Sequence, residues 1–400
     1  MTSSAARPVH VAYDIARLSA GGFNGGIKVH HYEFLRHFVE TRSSEMRLSV
    51  FCRDEIVCEL GFLSRSGRHQ IHVLGPRQDY EPRDSDGSLP VLRYWPDLPE
   101  DLLSLLEVDV LYAGFGVSQL YTPKVPQVSL IVDALHRSYP DSLPAAEVAF
   151  RDRWYAEAIE RAALVQTNSE FCKRQLVDAF GADPEAVFTL SLPLHGRFDR
   201  VEASSLPPDL SELAGRYFLY PANYWPHKNH EALLEAYALY ARKAGPEALH
   251  LALTGPMDEG GKTLAQTVSQ LGLERRVHQI GHSELADYKA IWEHAHSLVF
   301  PSLYEGFGLP LLEALHFQKP VACSDAPYAT DALAPFGLRV DLGRRDSWTE
   351  ALHELQANPR KYAPTQAHTL PFSLEREAAT LLERLRRAAS QHRRGAAKGV

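Results

Sequence analysis

The chain has 400 residues, 45% hydrophobic and 23% charged, with a net charge of −8 and four cysteines. Ordinary globular composition at this length predicts two domains of roughly 100–200 residues, with cores large enough to need no staple. The negative balance argues against a nucleic-acid binder, and cysteines without a C-x-x-C pair read as reduced thiols rather than zinc ligands.

The N-terminus, "MTSSAARPVHVAYDIARL", has no uninterrupted apolar core of signal-peptide type, and no run approaches the roughly 18 apolar residues of a membrane span. A soluble, cytoplasmic protein is expected. "VHVAYD" (Val9–Asp14) predicts a strand, "LSAGGFNGG" a loop and "IKVHHYEFLRHFVE" a helix. Leu48–Cys52, Ile71–Gly75, Val108–Ala113, Val128–Val132 and Ala163–Asn168 follow as strands, the last leading into the helix "SEFCKRQLVDAF". These near-continuous apolar runs suit strands covered on both faces, and the alternation of β and α predicts a parallel, doubly wound sheet.

Composition shifts at "VEASSLPPDLS" (Val201–Ser211), where two adjacent prolines mark a linker. A second series begins beyond it. Tyr217–Pro221, Leu249–Gly255, Arg276–Gly281, His296–Pro301 and Pro320–Asp325 predict strands, separated by helical "HEALLEAYALYARKAG", "KTLAQTVSQLG", "LADYKAIWEHA" and "PLLEALHFQ". The expected organisation is an α/β pair of Rossmann-like domains, 1–205 and 206–370, facing across a cleft. Residues 371–400 form a last helix, packing back on the first domain, and a basic tail. That tail, "RLRRAASQHRRGAAK" (Arg384–Lys398), carries six Lys/Arg and no acid. It reads either as a frayed, solvated end or as a contact with the inner face of an anionic membrane.

Chemistry is expected at the carboxyl ends of the strands. In "PSLYEGFGLPLLEAL" (Pro301–Leu315) two glycines feed a helix whose first turn holds Pro310. The bare N–H groups and positive dipole end there favour an anion. Glu305 and Glu313 flank the hinge, either facing sugar hydroxyls or serving as a helix cap and a surface residue. In "YPANYWPHKNHEALLEAY" (Tyr220–Tyr237), Lys228 stands near a helix start as a compact cation for a diphosphate, with His227 and Asn229 as further donors. The bland alternative is a solvated lysine beside a packed Trp225.

"GGFNGGIKVHHYEF" (Gly21–Phe34) places four glycines around the first strand-to-helix turn without matching G-x-G-x-x-G. Gly25 and Gly26 either brush a phosphate or sugar or make a structural turn. "GPMDEGGKT" (Gly255–Thr263) imitates a P-loop, but Pro256 stands where the first glycine is required, so it reads as a plain β-to-α turn. Asp133 and His136, in "SLIVDALHRSYPDSL" (Ser129–Leu143), follow a strand and either enter the cleft or serve structure.

The second half, through "EGFGLPLLE" (Glu305–Glu313) with its Glu-x7-Glu spacing and "PHKNHEALLEA", resembles the retaining family-4 glycosyltransferases of GT-B architecture. "VSLIVDALHRSYPDSL" and "AALVQTNSEFCKRQL" resemble the corresponding first-domain segments. The resemblance implies a UDP- or GDP-sugar donor held mainly by the second domain, no required cofactor, and a glycan, lipid-linked or small-molecule hydroxyl acceptor reaching from the first. It implies that Glu313 binds ribose and Glu305 lies by the donor sugar, with Asp133 and His136 near the reaction. Gly306, Phe307, Gly308 and Leu309 offer main-chain contacts, Lys228 neutralises the diphosphate with Asn229 and His227 beside it, and Gly25 and Gly26 approach from the other domain.

Three departures stand out. Val132-Asp133 replaces the family's His-Asp, with His136 as substitute. Asn223 replaces an Arg, and the Pro-Glu segment is missing from "SDAPYATDALAPFG". A leaving nucleoside diphosphate needs fixed positive groups, which Lys228 and the helix ends supply. No metal is demanded, since "DSD" (Asp84–Asp86) falls in a polar loop. No side chain is an obvious nucleophile, and the resemblance implies departure and attack on the same sugar face, with the leaving phosphate helping to take the acceptor proton. Two other readings use the same cradle: a nucleotide-sugar epimerase or hydrolase, and a catalytically silent nucleotide-sugar-binding subunit.

Overall fold

The computed structural model describes residues 7–21, 24–75, 91–94, 97–191, 195–329, 336–344, 346–365 and 373–398. The chain divides into two compact units. Met1–Ala134, Pro144–Pro193 and Phe372–Val400 form the first, and Leu135–Leu143 with Leu194–Pro371 form the second. The division thus precedes the proline-rich stretch instead of falling at 205/206, and Leu135–Leu143 counts with the second unit.

The first unit is built on a parallel sheet. Its strands are β1 (Val9–Asp14), β2 (Met46–Cys52), β3 (Gln70–Leu74), β4 (Val91–Tyr94), β5 (Val110–Ala113), β6 (Gln127–Leu130), β7 (Ala162–Thr167) and β8 (Val187–Thr189). They lie in the order β4-β3-β2-β1-β5-β6-β7-β8. All of β1 is buried, with Val9 opposite Met46 and Asp14 opposite Phe51. Successive side chains of β1 serve different cores, as a period of two requires. Tyr13 joins Phe34, Phe38 and Leu60, whereas Ala12 joins Leu103, Leu111 and Leu120.

The basic tail is not frayed. A helix runs from Leu374 to Lys398 and places Leu381, Leu382, Leu385, Ala388 and Ala389 in the first of these cores. Its arginines flank that face: Arg386 pairs with Glu45 at 3.2 Å and Arg393 with Asp109 at 2.9 Å, while Arg384 lies 5.5 Å over the Phe188 ring. An amphipathic helix with a charged outer face explains the run of basic residues.

In the second unit the strands are β9 (Tyr217–Pro221), β10 (His250–Thr254), β11 (Val277–Gly281), β12 (Ser297–Phe300), β13 (Val321–Ser324) and β14 (Leu338–Val340). All pairs are parallel, in the order β11-β10-β9-β12-β13-β14. The order reverses between β9 and β12, and in open α/β sheets ligands gather at the carboxyl ends of strands at such a reversal. The P-loop imitation is a capped helix start: Asp258 accepts from the Gly261 N–H at 3.1 Å and begins the helix Glu259–Gln270. Its glycines make room for a ring, since a Cβ on Gly261 would stand 3.0 Å from Tyr224 Cε2.

Candidate functional site

The two loops at the reversal are stitched together. After β9 the chain makes a single 3-10 turn, Pro226–Lys228, and passes through Asn229 at φ 60° and ψ 37° into the helix His230–Ala244. That left-handed conformation suits asparagine better than most residues. The Asn229 side-chain amide donates to the Pro301 carbonyl at 3.2 Å, and the Leu303 N–H donates to the His227 carbonyl at 2.8 Å. Tyr220 donates to the Lys228 carbonyl at 2.7 Å and lies 3.0 Å from the Ser302 hydroxyl. Tyr328 donates to the Ser302 carbonyl at 2.7 Å. Burial, then the nearby Glu305 charge, pushes both the Tyr220 and Tyr328 phenols up, so they stay protonated donors.

After β12 the chain reaches Gly308 at φ 79° and enters the helix Leu309–His316, with Pro310 in its first turn. On this frame the ammonium of Lys228 meets the carboxylate of Glu305, 2.7 Å from Oε1 and 2.8 Å from Oε2. Both side chains are mostly buried. His227 and Phe307 are also buried, while Trp225 is half exposed with its ring 5.6 Å from that of His227. His230, one residue into the helix, is held neutral, its pKa lowered to about 3 by burial and then by Lys228.

Glu313 is one turn further along and is not a surface residue, with only 3% of it exposed. Its Oε1 pairs with Arg197, and its Oε2 accepts from the Tyr288 hydroxyl at 2.6 Å. Burial, followed by the Glu313 charge, drives the Tyr288 phenol well up. The Arg197 guanidinium lies 4.4 Å over the Phe198 ring and 5.7 Å from the Tyr288 ring.

Of the remaining sequence candidates, His136 is fully buried in the short helix Leu135–Ser138. Its segment is tied to the loop after β12, because Tyr139 donates to the Leu303 carbonyl at 3.2 Å and sets its ring edge-on to Tyr304. Asp133 belongs to the first unit, where its charge acts after burial to raise the Tyr155 phenol. Gly25 and Gly26 are not in a loop: the helix Gly25–Thr41 begins on them, with Gly25 at φ 48°. Asp84–Asp86 lies outside the described residues.

The structure therefore brings Lys228, Asn229, His227, Glu305 and the glycine hinge together at one strand reversal. The sequence reading missed the phenols of Tyr220, Tyr288 and Tyr328, and it missed Arg197. Tyr220 carried a signal, being the last hydroxyl-bearing residue of its strand before the strand-to-helix turn. Arg197 carried none, being 116 residues from its carboxylate.

Residues 209–367 match a family model described as "Glycosyl transferases group 1". The chain is 29% identical over 205 residues to the O-antigen chain mannosyltransferase B of Escherichia coli, an alignment covering 50% of this chain and 54% of that protein. It is 27% identical over 224 residues to the O-antigen chain mannosyltransferase RfbU of Salmonella typhimurium, covering 55% and 58% respectively. The chain thus spans a little over half the length of these curated relatives. Among solved structures, Anabaena Alr3699/HepE in complex with UDP and glucose is similar with a TM-score of 0.61 at 16% identity, covering 98% of this chain and 100% of that one. Likeness at that identity establishes the fold, GT-B, with its two parallel-sheet α/β units.

Proposed function

We propose that this chain is a retaining glycosyltransferase that moves a sugar from a UDP- or GDP-sugar to a hydroxyl of a surface glycan or lipid-linked acceptor. The observation that carries the reading is the Lys228–Glu305 pair, held between two helix-starting loops at the strand reversal of the unit that the family match covers. The mannosyltransferase relatives favour a glycan acceptor, and the UDP in the Anabaena structure favours a nucleotide donor.

Each residue then has a task. Lys228, beside the unfilled N–H groups of the helix His230–Ala244, offsets charge building on the departing diphosphate. Glu305 orients that ammonium and accepts from sugar hydroxyls. The main chain from Gly306 to Leu309 approaches sugar or phosphate closely because the hinge carries no side chain at Gly306 and Gly308. Asn229 holds the loop rather than the ligand, through its bond to Pro301. Glu313 accepts from ribose hydroxyls. His136, Asp133, Gly25 and Gly26 are assigned, each within its own unit, to acceptor handling. A cytoplasmic location, at the inner membrane face when the acceptor is lipid-linked, goes with this donor.

The test is calorimetric titration of the full chain with UDP-, GDP-, ADP- and TDP-sugars, followed by turnover with glycan and lipid-linked acceptors. Binding of one donor and an acceptor-dependent product that keeps the anomeric configuration is the expected result. Free sugar or an epimer formed without acceptor assigns the hydrolase or epimerase instead. Binding without turnover assigns the silent subunit, and no binding of any donor overturns the reading.

A further inference from the structure

We infer that Arg197 and Tyr288 are positioning residues that fix the Glu313 carboxylate as a ribose reader, so that the site selects ribonucleotides over their deoxy counterparts. The inference rests on the nucleotide-donor reading above and goes beyond it, because neither residue belongs to the sequence pattern that singled out Glu313.

The chemistry of the carboxylate sets the argument. An ionised Glu offers about four lone-pair positions on two oxygens. Among the described residues the protein occupies one on each: Arg197 on Oε1 and Tyr288 on Oε2. One position per oxygen is left, which is the number that two adjacent hydroxyls use. With only 4% of the Glu313 side chain exposed, a small rotation takes those positions out of reach.

Both positioning groups are themselves immobilised. Phe198, beneath the guanidinium, is fully buried and packs against Phe317 at 4.8 Å and His316 at 5.3 Å between ring centres. The Lys289 ammonium donates to the Phe198 and Val201 carbonyls at 3.0 and 2.9 Å, tying the short helix His195–Asp199 to the helix Leu285–His294 that carries Tyr288. Arg197 also supplies the counter-charge that a buried carboxylate requires. A lysine at 197 keeps that charge but loses the planar fork and the stacking on Phe198.

The experiment compares UDP with 2′-deoxy-UDP by calorimetry on the full chain, with GDP and 2′-deoxy-GDP as the second pair. The wild type is expected to prefer the ribonucleotide by at least about tenfold, the worth of one hydrogen bond to a charged group. Arg197→Met and Tyr288→Phe bring the ratio to within about threefold, and Arg197→Lys recovers part of it. Lys228→Ala weakens both members of a pair alike and leaves the ratio intact. A ratio unchanged in Arg197→Met, with a cooperative thermal transition retained, overturns the inference. If that variant does not fold, an unchanged ratio in Tyr288→Phe overturns it. Failure of the wild type to bind any of the four nucleotides overturns the donor reading and this inference together. Binding without ribose preference overturns the inference alone.

Discussion

Lys228 and Glu305 form a bidentate contact, one ammonium to both carboxylate oxygens at 2.7 and 2.8 Å, with 14% and 12% of the side chains exposed. Removing either partner leaves a mostly buried charge alone, which costs about 3–5 kcal/mol. Lys228→Met and Glu305→Leu should each lower the urea-unfolding free energy by that order, and the double variant by clearly less than the sum.

The same pair separates stability from catalysis. Glu305→Gln removes the charge while keeping the shape of the side chain, and is expected to lower turnover at least about a hundredfold, on the scale of deleting one electrostatic group in an active site. Initial rates with saturating donor and acceptor measure this. Turnover within tenfold of wild type contradicts the role given to Glu305.

The backbone at the two helix starts makes a sharper demand than the side chains. Asn229 sits at φ 60° and Gly308 at φ 79°, and a Cβ on Gly308 would stand 3.1 Å from Leu311 Cδ1. Gly308→Ala should therefore destabilise by about 1–2 kcal/mol. Asn229→Ala should cost about 1 kcal/mol or more, because the bond to Pro301 is lost as well, whereas Asn229→Gly recovers the conformational part. Urea midpoints of the three variants check the order.

Stability should fall in mild acid. His31 is buried between the Tyr13 hydroxyl at 3.0 Å and the Gly114 carbonyl at 3.1 Å, and burial lowers its pKa from 6.5 to about 3. His230 is lowered to about 3 in the same way. Well above pH 6.5 neither ring is protonated in either state, and stability is full. As the pH falls from about 6.5 toward 3 the unfolded chain takes up protons that the folded chain refuses, so stability declines. The urea midpoint should drop between pH 7 and pH 5, and His31→Gln should flatten that slope. An identical slope in the variant contradicts the assignment.

The C-terminal helix separates buried from exposed contributions. Leu385 is fully buried, so Leu385→Ala should cost about 2–5 kcal/mol. Arg393 meets Asp109 with 63% of its side chain exposed, so Arg393→Ala should cost about 1 kcal/mol or less. Equilibrium unfolding of the two variants tests the contrast.

The strands were legible because they are covered on both faces: β1 and β9 fall on the apolar runs Val9–Asp14 and Tyr217–Pro221 without adjustment. Elements that bury little were not. The helix Ala145–Arg161 buries only Ala158, and the edge strand Val91–Tyr94 has no buried residue. The helix Ser347–Ala357 buries Trp348, Ala351, Leu352 and Leu355, a helical spacing that was present in the string and went unread. In the site, Lys228, Glu305 and Glu313 were marked by local chain features, namely glycines, a proline and a helix start. Arg197 and Tyr288 reach Glu313 only through tertiary packing, and local spacing carries no trace of such partners.

The segmented make-up of the first unit has a consequence for synthesis on the ribosome. Its sheet is specified by the first half of the chain, yet the helix supplying Leu381, Leu382 and Leu385 emerges only after Leu194–Pro371 has been translated. At about 5–20 residues per second, that delay is on the order of ten to forty seconds. For that interval the nascent sheet offers an uncovered oily strip to whatever is nearby, and shielding by a chaperone, or by speed of elongation, becomes part of how this molecule matures.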